Sequence, residues 1–175
     1  PTIKSIDDVQ TENSISTFTL ENTIKFKGQE IETIIVGTKK KDKIIGSSAG
    51  EIIAGQKNKD VLKGGDGADG FLFNITNGFG SKKADTIKDF DSSEGDAILV
   101  NKDIFGLGNK IKFKRVRGNS KAKKAAKTKN HFIYDYKKGQ LYFNEDGKDK
   151  GWGDGGLFAK LQGKPDLYAE DFTIV

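Results

Sequence analysis

The residues best equipped for chemistry in this chain are the oxygen donors gathered in Gly64-Gly65-Asp66-Gly67-Ala68-Asp69-Gly70-Phe71-Leu72. Glycines at its first, second and fourth positions let the backbone turn tightly, because a residue without Cβ adopts positive φ at little steric cost. Asp69 supplies a carboxylate at the end of the turn, Asp66 offers another within it, and Phe71 begins a short apolar run. Carbonyl and carboxylate oxygens on such a turn suit a hard cation such as Ca²⁺ and not zinc or copper, which favour nitrogen and sulfur.

The elements that must position these groups follow from a period of nine. Glycines at 28, 37, 46, 55 and 64 open five successive rows; the sixth position is Thr33, Asp42, Glu51, Asp60 and Asp69, and the eighth is Ile35, Ile44, Ile53, Leu62 and Phe71. A turn followed by a short strand in every row predicts an all-β fold, a right-handed parallel β-roll over 28–73 with the eighth residues stacked inside. In such a roll rows 18 residues apart lie one above another. One edge then carries the turns ending at Asp42 and Asp60, and the other those ending at Glu51 and Asp69. Lysines crowd the first edge, and two readings stand: Lys41 and Lys59 balance the acids in place of an ion, or they face solvent.

Around the roll, alternating β-branched and aromatic residues in Ser14–Leu20 and Thr23–Phe26 predict strands that cap its open end within 1–27. Residues 74–175 read as a C-terminal β region of antiparallel strands and hairpins, with the clearest hairpin joining His131–Tyr136 to Gln140–Asn144. Asp85, 16 residues beyond Asp69, extends the oxygen ladder. The turn Asn144–Asp149 lacks the closing glutamate of an EF-hand and reads as structural.

Composition narrows the function further. The 175 residues contain no cysteine, which removes disulfides, thiolate metal sites and a cysteine nucleophile; methionine is also absent, and a chain opening on Pro1 reads as a piece of a longer product. No stretch approaches the roughly 20 consecutive apolar residues of a membrane helix. The net charge is +5, with ten Lys or Arg and no acid in 110–129. That run reads as a solvated loop, and without interleaved aromatics it does not favour nucleic acid. An alternative is adhesion, the run holding anionic polysaccharide or lipid. There is no His-Glu-x-x-His and no Gly-x-Ser-x-Gly, and no pair of acids is singled out, so catalysis is not expected.

The nonapeptides, Ala84-Asp85-Thr86-Ile87-Lys88-Asp89-Phe90, the 132–147 hairpin and the terminal Asp171-Phe172-Thr173-Ile174-Val175 together resemble the C-terminal calcium-binding region of RTX repeat proteins, similar to the β-roll domain of serralysins. The resemblance covers about Gly28 to the end. It implies Ca²⁺ held by the second, fourth and sixth residues of a row, here Gly65, Gly67 and Asp69, with Asp85 stacked above and Asp66 as a further ligand. It also implies an uncleaved signal at the C-terminus read by type I secretion machinery, and folding outside the cell where calcium is plentiful. The sequence departs from the pattern in its basic charge, in Glu51, and in four rows that lack the second and fourth glycines together.

Overall fold

The structure is a computed structural model that describes residues 2–3, 13–75, 78–147 and 151–175. Parts of the predicted N-terminal cap and of the Asn144–Asp149 turn lie outside the described residues. The chain is mostly β, in two mixed seven-stranded sheets. Its described strands are β1 Thr2–Ile3, β2 Ser16–Phe26, β3 Gln29–Val36, β4 Lys43–Ile45, β5 Ile52–Ala54, β6 Val61–Lys63, β7 Gly70–Phe73, β8 Asp85–Ile87, β9 Ala97–Val100, β10 Phe113–Val116, β11 Phe132–Asp135, β12 Gln140–Phe143, β13 Gly156–Leu161 and β14 Phe172–Ile174, with an α-helix, α1, at Asn119–Ala125 and a 3-10 turn at Ala169–Asp171. Among the described residues no helix is long and apolar enough to cross a membrane.

From β3 to β9 successive strands enter alternate sheets. β3, β5, β7 and β9 pair in parallel in the first sheet, and β4, β6 and β8 in the second. The register keeps the ninefold period: Ile35 faces Ile53, Ile44 faces Leu62 and Ile53 faces Phe71. Beyond Phe73 longer connections stretch it, and Leu62 faces Ile87 while Phe71 faces Ile98. All these eighth-position side chains lie in one core between the sheets, which continues into Phe132, Tyr134, Phe143, Phe158 and Phe172.

A second core covers the outer face of the first sheet. The seventh and ninth positions there are Ile34, Val36, Ile52, Ala54 and Leu72, whereas the second sheet has Lys43, Ile45, Val61 and Lys63 at those places, none of them buried. The apolar outer positions attract β2, whose Leu20 and Phe26 pack on them. Burying such side chains stabilises by about 1.5–3 kcal/mol each. β2 runs antiparallel to β3, with its register broken between Thr19 and Ile24. Phe26 then approaches β7 so closely that a Cβ on Gly70 would meet its Cε1 at 3.0 Å.

Three expectations need correction. The row opening at Gly28 is not a turn and a short strand but a hairpin bend and the eight-residue β3, because its sixth residue is Thr33 and its β-branched residues pair with β2. The C-terminal region is not wholly antiparallel: β11, β12 and β13 are, but β10 pairs with β11, β13 with β8 and β14 with β9 in parallel. The lysine-rich run holds α1 and not a loop, since Ala122, Ala125 and Ala126, spaced three and four apart, bury one face against the second sheet. At the C-terminus Asp171 is fully buried and accepts hydrogen bonds from Lys27 Nζ (2.5 Å), Ser92 Oγ (2.5 Å) and the Tyr168 amide (2.7 Å), joining the β2–β3 bend to β14.

Candidate metal centre

The four turns between β3 and β7 share one construction at their first and sixth residues. A Cβ on the first glycine would meet the carboxylate of its own row, at 2.9 Å for Gly37 and Asp42, 2.6 Å for Gly46 and Glu51, and 2.7 Å for Gly55 and Asp60, with Gly64 and Asp69 closer still. These glycines serve by leaving room and not by adopting positive φ. The backbone N–H of each acid donates to the carboxylate of the acid one layer further on. Along one edge Asp42 N donates to Asp60 Oδ1 and Asp60 N to Asp85 Oδ1, both at 2.8 Å; along the other Glu51 N donates to Asp69 Oδ1 and Asp69 N to Asp96 Oδ1, both at 2.9 Å.

The second carboxylate oxygen separates the turns into two kinds. Asp42 Oδ2 accepts from the Thr38 amide at 2.6 Å while Thr38 Oγ1 donates to Oδ1 at 3.1 Å, and Glu51 is held in the same way by the amide and hydroxyl of Ser47. A hydroxyl at the second position closes these turns on themselves. Asp60 and Asp69 have no such hydroxyl, and Oδ2 of each is buried without a hydrogen-bond partner. In these two turns alone the second and fourth residues take positive φ: Gln56 at 70° and Asn58 at 75°, Gly65 at 113° and Gly67 at 93°. Glycine accepts that conformation readily, whereas for Gln56 and Asn58 it is uncommon and costs stability.

The electrostatics single out the same places. Burial pushes the Asp60 and Asp69 carboxyls up to about 7, Asp85 up to about 8 and Asp96 up to about 6, and neighbouring carboxylates add to the push. Glu51, Asp89 and Asp96 act on Asp69, and Asp42 acts on Asp60. Among the described residues no ion pair engages these acids. Lys41 and Lys59 therefore do not balance Asp42 or Asp60: hydroxyl and amide donors satisfy Asp42, and Asp60 keeps an unpaired oxygen. A cation with oxygen preference fits both open turns chemically, since each has a buried carboxylate oxygen without a donor. Among the described residues no three His, Cys, Asp or Glu side chains converge on a point, so most of the ligands would have to be main-chain oxygens.

Of the residues expected to form the site, Gly65, Gly67 and Asp69 fall together in one turn. Asp66 lies in that turn but is exposed, its amide donating to the Ser47 carbonyl at 3.2 Å. Asp85 is on the opposite edge, stacked on Asp60, and Asp96 occupies the place beyond Asp69. The connection after Phe73 is the reason: it lengthens one row from nine residues to the 16 that separate Asp69 from Asp85, so Asp85 is the acid of the next row, on the other edge, and not of the row after. Asp89 also belongs here, accepting from the amides of Gly64 (2.9 Å) and Gly65 (3.1 Å). Asp96 had a signal: an acid two residues before a core apolar residue recurs in Asp60-x-Leu62, Asp69-x-Phe71, Asp85-x-Ile87 and Asp96-x-Ile98. Comparison of the chain with family models, with curated proteins and with solved structures gives no match.

Proposed function

We propose that this chain is a calcium-binding, non-enzymatic domain wound as a right-handed parallel β-roll, which folds outside the cell and lies at the C-terminal, export-directing end of a larger type I secreted protein. The observation that carries the reading is the pair of open turns, one on each edge, in which a buried carboxylate keeps an oxygen without a donor while the residues at positions two and four take positive φ. Alternate entry of strands into two sheets at the ninefold period supports the roll.

Gln56, Asn58 and Asp60 would hold one ion and Gly65, Gly67 and Asp69 the other, with Asp85 and Asp96 as neighbouring carboxylates. Bound calcium supplies the positive charge that lets these buried acids ionise. The turns at Thr38 and Ser47 take no ion, because their hydroxyls already occupy the acids. Where calcium is scarce the stacked carboxylates oppose closure, and where it is abundant the free energy of binding becomes free energy of folding. In the unfolded chain the C-terminal residues are accessible to an export apparatus, whereas in the folded one Phe172–Ile174 is a strand.

Far-UV circular dichroism after chelation, followed by calorimetric titration, tests this. The expected result is a gain of β signal at temperatures where the ion-free chain is partly unfolded, with about two Ca²⁺ bound and little response to Mg²⁺, which demands smaller, octahedral sites. An unchanged spectrum together with no heat of calcium binding would refute it.

A further inference from the structure

The stretch 110–129 carries more positive charge than the whole chain. Its ten basic residues face no acid within it, so the remaining residues, with 20 basic and 25 acidic, are net −5. The structure fixes this charge on a rigid support. α1 is docked on β10 and β11 through Ala122, Ala125 and Ala126, and Lys121, Lys123, Lys124, Lys127 and Lys129 are exposed, as are Lys112, Lys114 and Arg117 on the flanking segments. Among the described residues the single ion pair formed by the stretch joins Arg115 to Asp166. The other charges are therefore neutralised by mobile counter-ions alone, and a polyanion would release them.

From this we infer that the exposed face of α1 binds a linear acidic polysaccharide. Three features favour that partner. Lys123, Lys124 and Lys127 share a shallow groove with Asn119 and Ser120, so point charges sit beside neutral hydrogen-bonding groups, matching a chain that alternates anionic groups with hydroxyls. None of the exposed large apolar side chains belongs to 110–129, which leaves nothing to insert into a bilayer. The stretch exposes no aromatic ring on which a base could stack, and Arg115 is already engaged by Asp166 and the Tyr168 ring. The surface does not depend on the ion-holding turns, so its success or failure is separate from theirs.

The test is binding of the folded chain to immobilised polygalacturonate and dextran sulfate across a salt series, beside duplex DNA and phosphatidylglycerol vesicles. Replacing Lys121, Lys123, Lys124 and Lys127 by Glu is expected to weaken polysaccharide binding about tenfold or more at moderate salt. The same charge change at Lys43, Lys63, Lys82 and Lys102, all exposed elsewhere, is expected to leave it within about twofold, since distant charges are screened. A thermal melt verifies folding, and a Gln set replaces the Glu set if that one unfolds. Equal losses in both variants, no loss in the α1 variant, or tighter binding to DNA or vesicles would overturn the inference.

Discussion

Replacing Asp69 by Asn should have opposite effects with and without calcium. The amide oxygen of Asn can still accept from the Glu51 amide, which bonds Asp69 Oδ1 at 2.9 Å, so the ladder contact is kept while the charge is lost. Burial and neighbouring acids raise the Asp69 carboxyl from 3.8 to about 7. Undamped, such a shift is worth roughly 4 kcal/mol against the charged form. Water penetration and screening reduce it, leaving an expected gain of about 1–2 kcal/mol for the variant in chelator at pH 8. With free calcium at about 100 to 1,000 times its dissociation constant, the parent gains about 2.7–4.1 kcal/mol per site, which the variant forfeits at this turn and which exceeds its gain in chelator. For a chain of this size 1 kcal/mol moves the melting temperature by about 2–4 °C. Melts in EDTA and in calcium should therefore place the variant above the parent in the first and below it in the second. Destabilisation by the same amount in both would mean that the carboxylate is only a packing element, and the reasoning would fail.

Asp60→Asn should reproduce this inversion at the other edge, and the calcium-dependent losses of the two variants should add in the double variant, which the same melts check. The ion-free chain should lose stability as pH rises from about 4 to 8: the folded-state carboxyls of Asp60, Asp69, Asp85 and Asp96 lie above their unfolded value of 3.8, so their contribution is full below about pH 4, falls as pH rises above it, and is exhausted once pH passes the folded values of about 6 to 8. Urea titrations in EDTA across this range measure the slope, and a rise in stability would contradict it. Gly55→Ala forces a Cβ to within 2.7 Å of Asp60 Oδ2 and should cost about 2 kcal/mol or more, while Gly108→Ala, with nothing within 4 Å, should stay within about 0.5 kcal/mol. Lys27→Ala leaves the buried Asp171 without its cation and should cost about 3 kcal/mol, with faster carboxypeptidase trimming of the C-terminus as the readout.

The layered part of the fold was legible because one residue in nine had to be glycine, one acidic and one apolar, and each requirement has a separate cause. The glycine leaves space for its own acid, the acid takes up the amide of the layer before, and the apolar residue fills the space between the sheets. What the spacing hid was set by contacts distant in sequence. Asp85 could not be assigned to its edge from a count of residues, because 16 residues from Asp69 is neither one row of nine nor two, and the stacking on Asp60 shows it to be one lengthened row. The turn at Gln56 and Asn58 lacks the glycines of the Gly65 turn, yet both residues take positive φ there. The apolar seventh and ninth positions of alternate rows form a second core under β2, which a reading confined to the eighth positions missed. In the basic run the alanine spacing outweighed the lysines, since a buried small-residue stripe is enough to seat seven residues as helix.

Anomalous scattering from crystals grown in calcium locates the ions themselves. One ion is expected at each open turn, about 2.3–2.6 Å from Asp60 Oδ2 and from Asp69 Oδ2, and none at the turns closed by Thr38 and Ser47. Saturating calcium with no density at either open turn, or ions seated instead against Asp42 and Glu51, would contradict this expectation.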